Sequence, residues 1–445
     1  MKSFDGKTAL LENLCVSITD CPHSTPKWSE RGILVIRNFN IKKGELDLSN
    51  SSFTDRESFK ERIKRAVPGP GDLIITREAP MGEVCIIPEN IECCLGQRMV
   101  LIKVDKGKIS NEYLLFALQS EFVQKQIKKS DKTGSIVSNL CLPDLRSLQI
   151  PVLENANEIT TTLKAITEKI KINNLINAEL EAMAKTLYDY WFVQFDFPFD
   201  FAHGKPDSNG KPYKSSGGKM VYNSTLKREI PEGWSSKPLT DITSTSNQSV
   251  NPAQYADKYF RHFSIPMYDS TQTFGLEIGA SIGSNKFIIE EGDILVSKLN
   301  PWFSRVIYAT DEEDLICSTE FVVWRTDNNN IKNFLYMVAR SEQFIAHCTQ
   351  SATGTSNSHK RVNPNVMMRF AIPFDLKIAT ELGSKLAPMI KRIINNQREN
   401  VELSKLRDWL LPMLMNGQVT AGAANKNKTS TSQKTKPLNK EVASG

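Results

Sequence analysis

The sequence predicts an α+β fold built twice: two globular α+β units in a pseudo-two-fold repeat, joined by two long antiparallel, coiled-coil-like helices. Three observations predict it: short motifs recurring at a nearly constant offset, a heptad seam closing each half, and short β-like runs ahead of each seam. Gly71-Asp72-Leu73-Ile74-Ile75 returns 221 residues later as Gly292-Asp293-Ile294-Leu295-Val296. Tyr113-Leu114 is answered by Phe334-Leu335 at the same offset, Thr133-Gly134-Ser135 by Thr353-Gly354-Thr355 at 220, and Ile150-Pro151 by Ile372-Pro373 at 222. Any one of these pairs is ordinary punctuation at a strand end. Four in register mark an internal repeat.

The heptad seam predicts the helices. Apolar or Asn residues recur at alternating steps of four and three at Ile159, Leu163, Ile166, Ile170, Asn173, Asn177, Leu180, Ala184, Leu187 and Trp191. Such spacing keeps one stripe of a helix facing another helix. An offset of 223 lands on Leu382, Leu386, Met389, Ile393, Asn396, Asn400 and Leu403. A buried Asn weakens an apolar seam, yet faced by another Asn it hydrogen-bonds and fixes register. The matched pairs Asn173/Asn177 and Asn396/Asn400 therefore predict that the two helices pair with each other. The alternative is that each helix packs on its own unit with its Asn residues partly solvated. Beyond Leu180 the copies drift, since Leu187-Tyr188-Asp189 answers to Leu406-Arg407-Asp408 at 219. A four-residue insertion of this kind is a stutter, absorbed by local unwinding.

Ahead of the first seam, β-like runs at 33–37, 72–76, 84–87 and 99–104 are separated by turn residues such as Pro68-Gly69-Pro70-Gly71. The expected organisation is a first unit over 1–152, a helix over 153–197, a Gly/Pro/Ser/Lys-rich linker over 198–232, a second unit over 233–374, a helix over 375–416 and a disordered tail over 417–445.

Composition fits soluble globular units. The 445 residues allow two to four domains, with 40% hydrophobic and 24% charged residues. No apolar run reaches the ~18 residues that span a bilayer, and the start, with Asp5 and Glu12, does not read as a signal peptide. A cytoplasmic protein is expected. The eight cysteines form no C-x-x-C pair and read as buried thiols rather than a zinc site. Net charge is +6, but residues 421–445 hold five Lys and one Glu, which leaves +2 for residues 1–420. Overall charge is no argument for a polyanionic partner.

Catalytic signatures are missing. Asn300-Pro301-Trp302-Phe303 lacks the second proline of an adenine methyltransferase motif, and no G-x-x-x-x-G-K-S/T loop is present. Gly279 and Gly283 fit no dinucleotide fingerprint. Asp72 with Glu78, or Asp293 with Lys298, suggests a metal nuclease only weakly, because an Asp after Gly at a strand start is explained by turn formation. No catalytic residue, metal or cofactor is expected.

One resemblance organises these readings. Leu187-Tyr188-Asp189-Tyr190-Trp191-Phe192-Val193-Gln194-Phe195-Asp196-Phe197 resembles the central conserved region of the DNA-specificity (S) subunits of type I restriction-modification systems. NGKPYKSSGGKMVYN from Asn209 and LKREIPEGW from Leu226 resemble the start of their second half. LRDWLLPMLMNG from Leu406 is similar to their C-terminal signature. ITDCPHSTPKW from Ile18, then VIRNFNI, GDLIITREAPMGEV and LGQR, resemble their target-recognition domains. The resemblance covers residues 10 to about 420. The second unit departs from it, with KLNPWF (298–303) in place of REAPMG (77–82) and no counterpart of LGQR.

The resemblance implies a non-catalytic subunit whose two target-recognition domains each read one half of an asymmetric bipartite site in double-stranded DNA. It further implies that the helices set the spacer and dock two methyltransferase subunits, which bind S-adenosylmethionine, with motor/nuclease restriction subunits added. A helix from Asn157 to Trp191 is about 50 Å long at ~1.5 Å per residue, enough to hold two domains a DNA turn apart.

Base reading needs Arg or Lys for guanine and Asn or Gln for adenine, while other cations hold phosphates. Candidates on expected loops are Arg77, Gln97, Arg98, Lys132, Gly134 and Ser135 in the first unit. In the second they are Lys298, Arg305, Ser356, Asn357, His359, Lys360 and Arg361. The Thr-Gly-Ser/Thr turns attract notice because Gly lets a backbone approach a ligand. The basic runs 56–65 and 125–132 and His23 in its Pro-flanked turn read as solvated features or phosphate contacts. The rival reading is a coiled-coil scaffold or regulator that pairs through Asn173, Asn177, Asn396 and Asn400 without reading DNA.

Overall fold

Two carboxylates, Asp72 half-buried and Asp293 buried, show how the repeat is built. Asp72 accepts the Gly69 N–H at 2.9 Å and pairs with Lys103 at 3.0 Å. At the equivalent place, Asp293 accepts the Glu290 N–H at 2.8 Å and holds the Arg325 fork at 2.7 and 2.8 Å. In each copy the Gly-Asp dipeptide thus closes a turn and ties one strand to its neighbour, which accounts for its recurrence.

The computed structural model describes residues 6–130, 139–207, 209–354 and 359–419. The chain divides into two compact units, one formed up to Glu168 and from Ser404 onward, the other from Lys169 to Leu403.

In the first unit a four-stranded antiparallel sheet runs in the order Cys15–Asp20, Met99–Val104, Leu73–Thr76, Val84–Ile86. The second unit repeats it as Ser244–Ser246, Phe321–Arg325, Asp293–Ser297, Val306–Tyr308. Even the register returns, with Thr76 opposite Met99 and Ser297 opposite Phe321. Both faces of each sheet are covered. Leu73, Ile75, Val100 and Ile102 pack under the helices Asn111–Gln119 and Glu121–Lys129, while Ile74, Met99 and Leu101 pack against a second sheet holding Leu34, Ile36 and Cys93. Burial on both faces is why these strands read as continuous apolar runs. That second sheet contains a parallel pair, Cys93–Leu95 beside Ile33–Ile36, echoed by Leu315–Cys317 beside Tyr259–Phe263. Each domain is closed by a short pairing of its ends, Thr8–Leu10 with Gln149–Pro151 and Ser235–Pro238 with Ala371–Phe374.

The second unit also buries Lys332. Its ammonium donates to the carbonyls of Ala309, at 2.7 Å, and Glu291, and sits 3.7 Å from the centre of the Tyr308 ring. Burial pushes its pKa down to about 8.

The long helices run Ala156–Tyr188 and Leu376–Met415. Within the second unit, Ala184, Tyr188 and Trp191 share a core with Leu382, Leu386 and Ile390. Farther along, Asn396 donates to Asn177 at 2.8 Å and Asn173 to Asn400 at 2.9 Å, so the helices cross antiparallel here. Asn173 also reaches Glu399 at 2.7 Å. Within the first unit, Ile159 and Leu163 pack with Leu414 and Met415. The first helix ends in a wider π turn, Asp189–Val193.

Residues 198–232, expected as a linker, are folded where described. Pro198–Asp200 pairs with Lys205–Pro206 and Lys211–Pro212, and Met220–Asn223 forms a hairpin with Arg228–Pro231. The Phe197 ring stacks on Tyr213 at 4.8 Å and on Trp234 at 5.2 Å. Two of the segment's glycines serve packing, since a Cβ on Gly210 would lie 2.4 Å from the Phe199 backbone and one on Gly218 2.4 Å from the Tyr213 ring. The expected tail lies outside the described residues beyond Val419. No helix among those described is long and apolar enough to cross a membrane.

Candidate nucleic-acid interface

In the first unit the loops at one end of the main sheet are bound to one another by two buried or half-buried arginines. Arg62, from the basic run that the sequence offered as a solvated face, is buried. Its Nε donates to the Leu95 carbonyl at 2.8 Å, and its Nη atoms to the carbonyls of Ser24 at 2.8 Å and Pro22 at 3.2 Å. Three carbonyls from two loops converge on one guanidinium because its planar fork satisfies several acceptors at once. Arg77, expected to face DNA, is instead an internal tie: its Nη1 donates to both carboxylate oxygens of Asp20 at 2.9 and 3.0 Å and its Nε to the Leu140 carbonyl at 2.9 Å. Its side chain is 12% exposed. The physical reason is tertiary: the sheet brings the carboxylate at the end of the strand Cys15–Asp20 beside the start of the Arg77 loop.

Around these ties sits an open concavity lined by Trp28, Arg37, Asn38, Gln97 and Arg98. Gln97 donates to the carbonyl of His23 and to Thr25 at 3.3 Å. Arg98 takes a positive φ of 68° and pairs with Glu78 at 3.0 Å, half exposed. The Arg37 guanidinium lies 5.0 Å from the Trp28 ring centre and 4.7 Å from that of Phe39. Asn38 donates to the Ala79 carbonyl at 2.6 Å. Gln97 and Arg98 are thus brought together, and Trp28, Arg37 and Asn38 join them. The sequence carried their signal as an Arg-Asn pair and a Trp at loop positions, without showing that the two loops meet. His23 hydrogen-bonds Asp20 at 3.0 Å. Lys132, Gly134 and Ser135 lie outside the described residues.

In the second unit the corresponding end carries Lys298, Arg305, His359, Lys360 and Arg361. Lys298 and Arg361 lie on adjoining backbone, the Val362 N–H donating to the Lys298 carbonyl at 3.0 Å. Arg361 is half exposed and forks on Glu320 at 2.9 and 3.0 Å, an ion pair that holds its pKa up. Arg305 is half-buried and forks on Asp269 at 2.6 and 2.9 Å, and its guanidinium covers Phe303. Like Arg77 it is committed within the protein. Gly354 is required by the protein's own packing, since a Cβ there would lie 2.6 Å from the His359 carbonyl. Ser356 and Asn357 lie outside the described residues. Trp302 and Phe303, which the sequence offered only as an incomplete methyltransferase motif, stand exposed at this end.

The arrangement offers donors, cations and exposed rings at one end of each sheet. Asp72 and Asp293, weighed as metal ligands, are engaged with backbone N–H groups and cations, and no cluster of His, Cys, Asp and Glu among the described residues is placed to hold a metal.

Comparison with known proteins gives four likenesses. Residues 31–182 match the type I restriction modification DNA specificity domain. Over 417 residues, 90% of this chain and 87% of the relative, the sequence is 25% identical to the type I restriction enzyme MjaIX specificity subunit of Methanocaldococcus jannaschii. It is 22% identical to the HindI specificity subunit of Haemophilus influenzae over 61% of this chain and 69% of that one. In fold it resembles the S subunit of a type I restriction-modification system from M. genitalium, with a TM-score of 0.56 at 13% identity over 93% of this chain and 96% of the other.

Proposed function

The chain belongs to the family of type I restriction-modification DNA-specificity subunits, and from that premise we propose how it divides the work of recognition. Such a subunit is non-catalytic; it supplies the sequence preference of the complex. Each unit reads one half of an asymmetric, bipartite target in double-stranded DNA. The observation that carries this is the repeated four-stranded sheet whose equivalent ends bear different donors: Arg37, Asn38, Gln97 and Arg98 in one copy, Lys298, Lys360 and Arg361 in the other. A shared scaffold with unlike contact residues reads unlike half-sites.

The paired helices fix the spacer between the half-sites and dock two methyltransferase subunits, to which motor/nuclease subunits add. Exposed Ile172, Leu175 and Met183 on the first helix, and Trp409 on the second, support docking, since large apolar side chains in water mark contact surfaces. The rival reading is a scaffold or regulator that pairs through the Asn layers without reading DNA. Here the Asn side chains of the two helices hydrogen-bond each other within the chain.

The test is to assemble the chain with its methyltransferase partner and sequence the methylated positions across a bacterial genome. One split, asymmetric sequence is expected. Methylation without sequence preference overturns the reading.

A further inference from the structure

The turn joining Asp293–Ser297 to Val306–Tyr308 holds two aromatic rings out into solvent. Trp302 is 38% and Phe303 58% exposed, their centroids 6.0 Å apart. The turn is stiff. Pro301–Phe303 forms a single 3-10 turn between Asn300 and Ser304, both left-handed with φ of 49°. The Asn300 N–H donates to the Lys360 carbonyl at 2.8 Å, and its Oδ1 accepts the Lys360 N–H at 3.1 Å. Arg305, locked on Asp269, lays its guanidinium 4.5 Å from the centre of the Phe303 ring. Phe303 is therefore braced from behind, and Trp302 stands beside it on a backbone turn tied to Lys360.

Lys298, Lys360 and Arg361 lie on adjoining backbone, with Glu320 as the carboxylate partner of Arg361. A rigid apolar projection ringed by phosphate-seeking groups is the chemistry that enters a stack of base pairs: the cations hold the backbone while the rings replace a base-base contact. Resting on the reading of this unit as DNA-binding, we propose that Trp302 and Phe303 form a wedge that opens one base-pair step of the second half-site and kinks the duplex there. The first unit has Ala79-Pro80-Met81 at the equivalent turn, and Met81 packs against the core. The distortion therefore belongs to the second half-site alone, and a flexible pyrimidine–purine step suits it best.

The experiment uses the assembled complex and a duplex carrying its target, with 2-aminopurine placed in turn along both half-sites and a donor–acceptor dye pair at the ends. The wild-type complex should raise 2-aminopurine emission several-fold at one step of the second half-site and shorten the end-to-end distance. Trp302→Ala/Phe303→Ala should remove both effects there and leave the first half-site signals unchanged, with binding weakened no more than about ten-fold. Trp302→Leu/Phe303→Leu, which keeps apolar bulk, should retain part of the bend. A wild-type complex that binds its split target without unstacking or bending, or a double-Ala variant that bends it equally, overturns the wedge while leaving recognition standing. A complex that prefers no split sequence overturns both.

Discussion

Asn396 donates its side-chain N–H to the side-chain oxygen of Asn177 at 2.8 Å, in a helix seam where both residues are buried. Removing one partner orphans the other. Asn396→Ala should cost about 1–3 kcal/mol, read as a lower midpoint in urea, whereas Asn177→Leu with Asn396→Leu should recover most of it. Equal loss in the single and double variants would show that the pair does not act as a unit. The leucine pair should also loosen register, seen as a broader distribution of distances between spin labels on the two helices.

Arg62 holds Pro22, Ser24 and Leu95 together, and with them the loops of His23 and Gln97. Arg62→Met leaves three carbonyls short of a donor and should lower stability by about 2 kcal/mol or more. Its sharper signature is selective. Discrimination against changed bases in the first half-site should fall while discrimination in the second is kept, and Arg62→Lys should restore part of it. Uniform loss across both half-sites would make Arg62 a stability residue only.

Arg361 forks on Glu320 at a half-exposed site. If Arg361 exchanges that carboxylate for a phosphate on binding, Arg361→Ala should reduce the slope of log affinity against log salt by about one and leave the target sequence unchanged. Glu320→Gln should strengthen binding, because the guanidinium no longer has to leave an ion pair. Lys360→Ala should likewise lower the salt slope. Binding of all three variants identical to wild type at several salt concentrations removes this surface from the interface.

Lys332 has a folded pKa lowered to about 8, below its unfolded value. Between pH 8 and roughly 10.5 the unfolded chain therefore holds a proton that the folded chain has released, so this group makes stability rise with pH across that window. Below pH 8 both states are protonated and the cost of burying the charge is fully felt. The difference in unfolding free energy between wild type and Lys332→Met should shift toward wild type by up to ~3 kcal/mol from pH 8 to 10.5. A difference independent of pH refutes the assignment.

Much of the repeat was legible because its motifs sit where backbone geometry leaves little choice. Gly71-Asp72 and Gly292-Asp293 recur since each Asp must satisfy an N–H three residues back, and the Asn positions recur since a helix seam tolerates few polar pairs. The contact residues were less legible. Arg77 and Arg305 look like base readers in sequence, yet each meets a carboxylate, Asp20 or Asp269, whose proximity only the tertiary fold creates. The segment 198–232 misled through composition. Phe195, Phe197, Phe199 and Phe201, which lead into it, alternate with period two, a strand signal that the Gly, Pro and Lys farther on masked.

The first unit takes its core from both ends of the described chain: Leu11 and Leu163 pack in one cluster with Leu414 and Met415. The second unit is a single uninterrupted stretch. A ribosome working from the N-terminus therefore delivers everything the second unit needs before it delivers the last helical turns of the first. The unit that begins synthesis earliest is the one that finishes folding last, and its apolar surface around Ile159 and Leu163 waits uncovered while more than two hundred further residues are made.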